Sequence, residues 1–222
     1  MKAIIFGING QDGFYLHKLL IDFNVEVIGV TRSTGDWIIG NVADRIFVED
    51  LIKQNKPDYI FHLAANSTTR HDVIFENHET ISTGTLNILE AVFTHSPNSK
   101  VFLSGSGLQF VNKELPISEK DLFDASSAYS VSRIQSAYAG RYYRKLGLKV
   151  YMGYFFNHDS PLRTDRHITQ QIIATIQTIV RGSQEVIEIG DLHTKKEFNY
   201  AKDLMEAIFI MVNKDKIFEE NG

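Results

Sequence analysis

Three glycines, Gly7, Gly10 and Gly13, carry the most chemical information in this chain. The apolar run Ile4-Ile5-Phe6 leads into them, and Leu16, Leu19, Leu20 and Phe23 follow at helical spacing. A strand entering a glycine turn that opens a helix is how a dinucleotide pyrophosphate is held. Glycine permits unusual φ and leaves no Cβ between backbone and phosphate, and the free N–H groups at the helix start face the anion. Gly7, Asn9, Gly10, Gln11, Asp12 and Gly13 are therefore candidate cofactor residues, a βα turn without ligand being the plain alternative. The second strand ends Val30-Thr31-Arg32-Ser33, where an NAD site usually carries an acidic residue for the ribose 2′-hydroxyl. Arg32 presents a planar donor fork beside Ser33, which suits a 2′-phosphate, so the reading is NADP, with NAD and a solvated surface arginine left open. Tyr129 and Arg133 lie four residues apart in a helical pattern, hence side by side on one face.

The elements that must position these residues alternate regularly. Strands are expected over 25–30, 37–39, 59–64, 100–104, 149–155 and 185–189, and helices over 44–55, 77–94, 127–146, 168–181 and 201–214. Strand and helix in that order imply parallel strands with right-handed crossovers. The fold class is α/β, a Rossmann doubly wound parallel sheet with a small, reduced C-terminal substrate lobe. Residues 1–156 form the cofactor domain, and 157–222 supply lobe segments interleaved with the last sheet strand and helix. The polar loops 112–126 and 156–167 follow strands, where open α/β sheets bind ligands.

Composition narrows the partners. The 222 residues are 43% hydrophobic, enough for one good core. A formal charge of −4 with interspersed signs offers no basic stripe for nucleic acid and no polybasic segment for a membrane. There is no cysteine, and no apolar run approaches the roughly 20 residues of a membrane helix. Cytoplasm is the expected compartment. The eight histidines make no ligand-spaced set, so no metal is expected. His71 in Arg70-His71-Asp72 is read as a solvated loop histidine, with an acid/base role as the alternative.

Phrases spread over almost the whole chain carry a closer likeness: Gly7-Ile-Asn-Gly-Gln-Asp-Gly13, Thr31-Arg32-Ser33, His62-Leu-Ala-Ala65 with Ser67, Ser127-Ala-Tyr129-Ser-Val-Ser-Arg133, Phe156-Asn-His-Asp-Ser-Pro161, and Ala201-Lys-Asp-Leu204. The chain resembles the extended short-chain dehydrogenase/reductases, the NAD-dependent epimerase/dehydratase family, and within it the relatives of GDP-mannose 4,6-dehydratase. The resemblance implies an NADP-dependent enzyme acting on a nucleotide-activated hexose, with hydride transfer at sugar C4. It also implies a homodimer or homotetramer built partly through the helices near 77–94 and 127–146. Tyr129 takes the family's acid/base position, and Arg133 stands where the family has a lysine that binds nicotinamide ribose and lowers the tyrosine pKa. By the same resemblance Asn41, Val42, Leu63, Ala64, Ala65 and Phe156, with Tyr129 and Arg133, complete the cofactor contacts, and Ser67, Asn157, Thr169, Gln171 and Lys196 face the substrate.

Departures shape the reading further. Gly105 and Gly107 occupy the family's Ser/Thr and glutamate positions, so the proton-transfer groups of a dehydration are missing; Ser104 or Ser106 is the candidate replacement hydroxyl. Relatives continue beyond the position of Gly222 with guanosine contacts, which leaves a GDP- or other NDP-hexose open. The first expectation is a 4-keto reductase or epimerase. The alternatives are a catalytically degenerate NADP binder serving as partner subunit or sensor, and a 4,6-dehydratase with a rearranged acid/base set.

Overall fold

The computed structural model describes residues 1–165, 167–184, 186–188, 193 and 195–214. Its centre is β1 (Lys2–Phe6), whose side chains alternate between two cores as the two-residue period of a strand requires. Ile4 and Phe6 pack into one core with Val48, Ile52, Ile88, Leu89 and Val150. Ala3 and Ile5 pack into the other with Leu16, Leu20, Phe61, Phe102, Met205 and Phe209. A strand buried on both faces is the mark of a parallel sheet sandwiched by helices, which is why its sequence reads as a continuous apolar run.

Around β1 the chain adds α1 (Gln11–Asp22), β2 (Glu26–Thr31), β3 (Ile38–Ile39), α2 (Arg45–Asn55) and β4 (Tyr59–His62). It continues through α3 (Ile74–Asn77), α4 (Gly84–His95), β5 (Lys100–Ser106), α5 (Ala128–Lys145) and β6 (Lys149–Phe155). The strands form a parallel sheet in the order β3-β2-β1-β4-β5-β6. The chain winds outward one way from β1 and then the other way from β4, so a crevice opens at their carboxyl ends. Beyond β6 come β7 (His158–Asp159), α6 (Ile168–Val180), β8 (Asn199–Tyr200) and α7 (Ala201–Asn213); β7 and β8 pair in parallel as a separate two-stranded sheet. The C-terminal α7 buries Met205, Ile208 and Phe209 in the same core as α1's Leu16 and Leu20.

Helix ends follow local chemistry. Asp44 caps α2 by accepting from the N–H groups of Ile46 and Phe47 at 3.0 and 3.1 Å. Ser127 and Ser130 form a reciprocal capping box at the start of α5, which fixes Tyr129 and Arg133 in its first two turns.

Several expected boundaries shift. The helix expected over 77–94 begins earlier, as a 3-10 turn at His71–Val73, then α3, a π-helical stretch His78–Thr83, and α4. The strand expected to run to Ala64 stops at His62, because residues 63–65 turn under the glycine loop, with the Leu63 N–H still bonded to Phe6 O at 3.0 Å. β5 runs two residues past Ser104 and places Gly105 inside the strand, opposite Tyr154. The strand expected over 185–189 begins and ends outside the described residues, and 186–188 are irregular. β7 and β8 are too short to leave a periodic signal.

Candidate cofactor cleft and acid/base site

The glycine turn is built for two different constraints. Gly7 has φ +92°, and a Cβ there would lie 2.7 Å from Ala64 N and 3.0 Å from the Leu63 carbonyl carbon. A Cβ on Gly13 would fall 2.5 Å from Gly7 O. Those two glycines are required by the fold itself. Gly10 is different: its nearest protein atom would be 3.4 Å away, so protein packing would tolerate a side chain there. Gly10 lies on a cleft of about 330 Å³ lined also by Gly7, Arg32, Ser33, Asn41, Val42, Ala64, Ala65 and Thr80. No side chain caps the α1 N-terminus at Gly10, so its first N–H groups are left for a ligand. An open cleft, a helix start without a side-chain cap, and a glycine that only a ligand needs fit a dinucleotide.

At the far end of the cleft, Asn9 Nδ2 donates to Thr31 Oγ1 at 3.1 Å and to Ser33 Oγ at 2.9 Å, bracing the end of β2. Asn41 Oδ1 accepts from Ala43 N at 3.0 Å, and the Val42 carbonyl is held by Asn87 Nδ2 at 3.0 Å. Arg32 forms an ion pair with Glu76 on α3, Nη2 to Oε1 at 3.0 Å. Sequence reading missed this partner, which is 44 residues away.

Tyr129 and Arg133 form one buried unit, 7% and 4% exposed. Arg133 Nε donates to the Tyr129 hydroxyl at 3.0 Å, and the guanidinium carbon lies 5.0 Å from the ring centre. Arg133 Nη1 donates to the Ser104 carbonyl and, at 2.8 Å, to Ser104 Oγ. Ser104 Oγ in turn donates to His62 O at 2.9 Å, so its proton and its lone pair are both engaged. Ser106 is less constrained. Its Oγ accepts from Leu108 N at 3.2 Å, and among the described residues its proton has no acceptor. The buried His62 ring lies behind this unit; burial and then the Arg133 charge lower its pKa to about 3, so it stays neutral.

The glycines at the two departing positions are not open gaps. A Cβ on Gly105 would lie 2.6 Å from the Tyr154 ring, and one on Gly107 would lie 2.7 Å from the Phe156 ring. Counting equal steps along β5 and β6 from Lys100 and Lys149 puts Tyr154 beside Gly105, so this filling was recoverable once the strands were paired.

Gln11 and Asp12 point their side chains toward the segment after β6. Gln11 Oε1 accepts from Ser160 Oγ at 2.9 Å, and Asp12 pairs with His158 Nε2 at 3.1 Å. His158 Nδ1 donates to the Phe156 carbonyl at 2.8 Å. Burial works against the charged imidazole, but the hydrogen bond and charge of Asp12, with the Phe156 carbonyl, outweigh it and raise the His158 pKa. Thr169 donates to Asp159, and the Asn157 carbonyl accepts from Asn199 N at 3.0 Å, so these two candidates meet around β7 and β8. Ser67 is exposed in the loop after β4, Gln171 is exposed on α6, and Lys196 is exposed before β8. Among the described residues no hydrogen bond joins these three to the Tyr129 unit. None of the described residues form a three-ligand metal cluster, and none of the described helices is long and apolar enough to cross a membrane.

The fold is that of solved sugar-nucleotide enzymes. UDP-glucose 4-epimerase from Thermotoga maritima superposes with a TM-score of 0.82 at 20% identity, over 95% of this chain and 72% of that one. dTDP-glucose 4,6-dehydratase from Bacillus anthracis, solved with NAD, gives 0.83 at 18% identity, over 98% and 73%. In sequence, GDP-mannose 4,6 dehydratase 1 of Arabidopsis thaliana is 28% identical across 96% of this chain and 67% of its own length. The human GDP-mannose 4,6 dehydratase is 28% identical across 96% and 65%. The chain thus spans about two thirds of the length of these relatives. The family model for GDP-mannose 4,6 dehydratase matches residues 4–220, and the chain belongs to that family within the epimerase/dehydratases.

Proposed function

We propose that the chain binds NADP(H) in the cleft at the Gly7–Gly13 turn and works on a nucleotide hexose as a 4-keto reductase or epimerase. The cofactor, when bound, supplies or accepts the hydride. The chain's own groups manage the proton and the orientation. Tyr129 gives a proton to, or takes one from, the sugar O4; its hydroxyl accepts from Arg133, which leaves the phenolic proton directed elsewhere, and the fixed guanidinium steadies the phenolate after transfer. Ser106, whose proton has no acceptor among the described residues, is the second hydroxyl for O4. Arg32 reads the 2′-phosphate.

The observation that carries this reading is the buried Tyr129–Arg133–Ser104 unit at the carboxyl end of β5, on the same sheet edge as the glycine cleft. Glycine at 107, with Phe156 in its side-chain space, weighs against the dehydratase alternative, which needs an acid there. Tyr129→Phe is expected to lower turnover by roughly two to four orders of magnitude with cofactor binding kept; unchanged turnover would remove Tyr129 from the mechanism.

A second reading, a cofactor binder with little turnover that serves as partner subunit or sensor, is favoured by the Tyr154 and Phe156 rings packed over the two glycines. NADPH oxidation by a 4-keto nucleotide sugar above the enzyme-free rate contradicts it. The protein also pairs with a second copy through α4 and α5, whose Leu86, Phe93, Tyr138 and Tyr142 are 50%, 44%, 57% and 58% exposed. Sedimentation at two or four times the chain mass is expected, and Leu86→Arg is expected to lower it. A monomeric wild type rules the pairing out.

A further inference from the structure

We infer that Glu76 determines how far the cleft prefers one nicotinamide dinucleotide over the other, by neutralising Arg32 before any ligand arrives. The inference rests on the reading above, in which the adenosine ribose lies at Arg32.

The end of β2 carries no carboxylate: its residues are Val30, Thr31, Arg32 and Ser33. A carboxylate is nevertheless present, delivered by α3. Glu76 Oε1 lies 3.0 Å from Arg32 Nη2, and Glu76 Oε2 accepts from Asn66 Nδ2 at 3.0 Å. Both oxygens are therefore held, one by the cation and one by the residue that follows the cleft-lining Ala65. The two side chains are 52% and 40% exposed; Arg32 lines the cleft, and Glu76 stands behind it as its ion-pair partner. A surface carboxylate fixed at both ends is a positioned group. The neighbouring charges at the start of this helical run, Arg70 just before it and Asp72 in its first turn, pair with each other and cancel locally.

The consequence is electrostatic. A ligand approaching Arg32 meets a neutral pair in which one edge of the guanidinium is already taken. A 2′-phosphate gains Arg32 but comes close to the Glu76 carboxylate, and like charges at that range in a largely aqueous setting weaken binding by about three- to tenfold. A 2′-hydroxyl pays no such penalty and finds a carboxylate acceptor at hand, as it would in an NAD site. Glu76 therefore narrows the preference for NADP(H) that Arg32 alone would set.

The test is equilibrium binding of NADP+ and NAD+ by calorimetry, with no turnover required. Glu76→Gln keeps an acceptor for Asn66 and removes the charge. It is expected to tighten NADP+ by about three- to tenfold while leaving NAD+ unchanged or weaker, and Glu76→Lys is expected to move the Kd ratio further the same way. Because the effect is charge repulsion between exposed groups, it should shrink as ionic strength rises. An unchanged ratio in Glu76→Gln, or equal shifts for both dinucleotides, would overturn the inference. Arg32→Ala separates this from the reading beneath it. If Arg32→Ala weakens NADP+ relative to NAD+ and Glu76→Gln does nothing, only the role of Glu76 falls; if Arg32→Ala leaves the ratio untouched, the placement of the ribose falls as well.

Discussion

Gly105 illustrates what single residues say and omit. Read alone, it is the loss of a hydroxyl; in the folded chain it is the floor on which Tyr154 rests, with no room for a Cβ. Putting the family's serine back at 105 is therefore a packing problem before it is a catalytic repair. Gly105→Ser is expected to cost roughly 1–3 kcal/mol, the usual range for overpacking, read by chemical denaturation. Tyr154→Ala in the same chain should recover part of that loss relative to Tyr154→Ala alone. If Gly105→Ser costs nothing, the ring does not fill that space. Arg133 tells a similar story: its identity was legible, and so was its place beside Tyr129, but its commitment to Ser104 depends on where β5 ends. Arg32 was legible as a cation at the adenosine end, whereas Glu76 was not, since no local pattern links residues 44 apart.

At the scale of elements, the joint between the first turn of α1 and the segment after β6 is the feature to test. Gln11 and Asp12 tie the cofactor turn to Ser160 and His158, so two sequence phrases that looked like separate signatures form one contact. With Nδ1 donating to the Phe156 carbonyl and Nε2 facing Asp12, the imidazolium satisfies both partners. Its pKa is raised in the folded state, so its contribution to stability is full below the ordinary histidine value of about 6.5 and is lost as pH climbs through the raised value. Arg163 nearby opposes the charge and limits the rise. Thermal unfolding between about pH 6 and 8.5 should show wild type losing stability relative to Asp12→Asn as pH increases. Parallel profiles for the two proteins would refute the joint as a charged pair. Helices and long strands were legible here because their apolar periods are long; the two-residue β7 and β8 and the π-helical stretch were not, because tertiary pairing rather than local pattern creates them.

Across the whole molecule, the parallel, doubly wound sheet followed from the alternation of strand and helix, whereas its strand order and two cores are seen only in the structure, and the cleft lies at the carboxyl ends of β1, β2 and β4. The substrate side was less legible. Its candidate residues are scattered over the loop after β4, the two-residue β7 and β8 with their flanks, and α6, so that Asn157 and Thr169 meet around β7 and β8 while Ser67, Gln171 and Lys196 stay at the surface. The account's central proposal is that a cofactor bound in the cleft exchanges hydride with a sugar held at Tyr129, and that can be read in one cuvette. NADPH is first titrated into the protein by fluorescence and calorimetry, and 4-keto nucleotide sugars are then added while the absorbance of the reduced cofactor is followed. The account predicts saturable binding followed by loss of absorbance with at least one such sugar. Saturable binding without any loss would rule out net reduction; an epimerase returns its hydride and is read instead as interconversion of parent nucleotide sugars, whose absence as well would leave only a binder, and no binding at all would contradict the central claim.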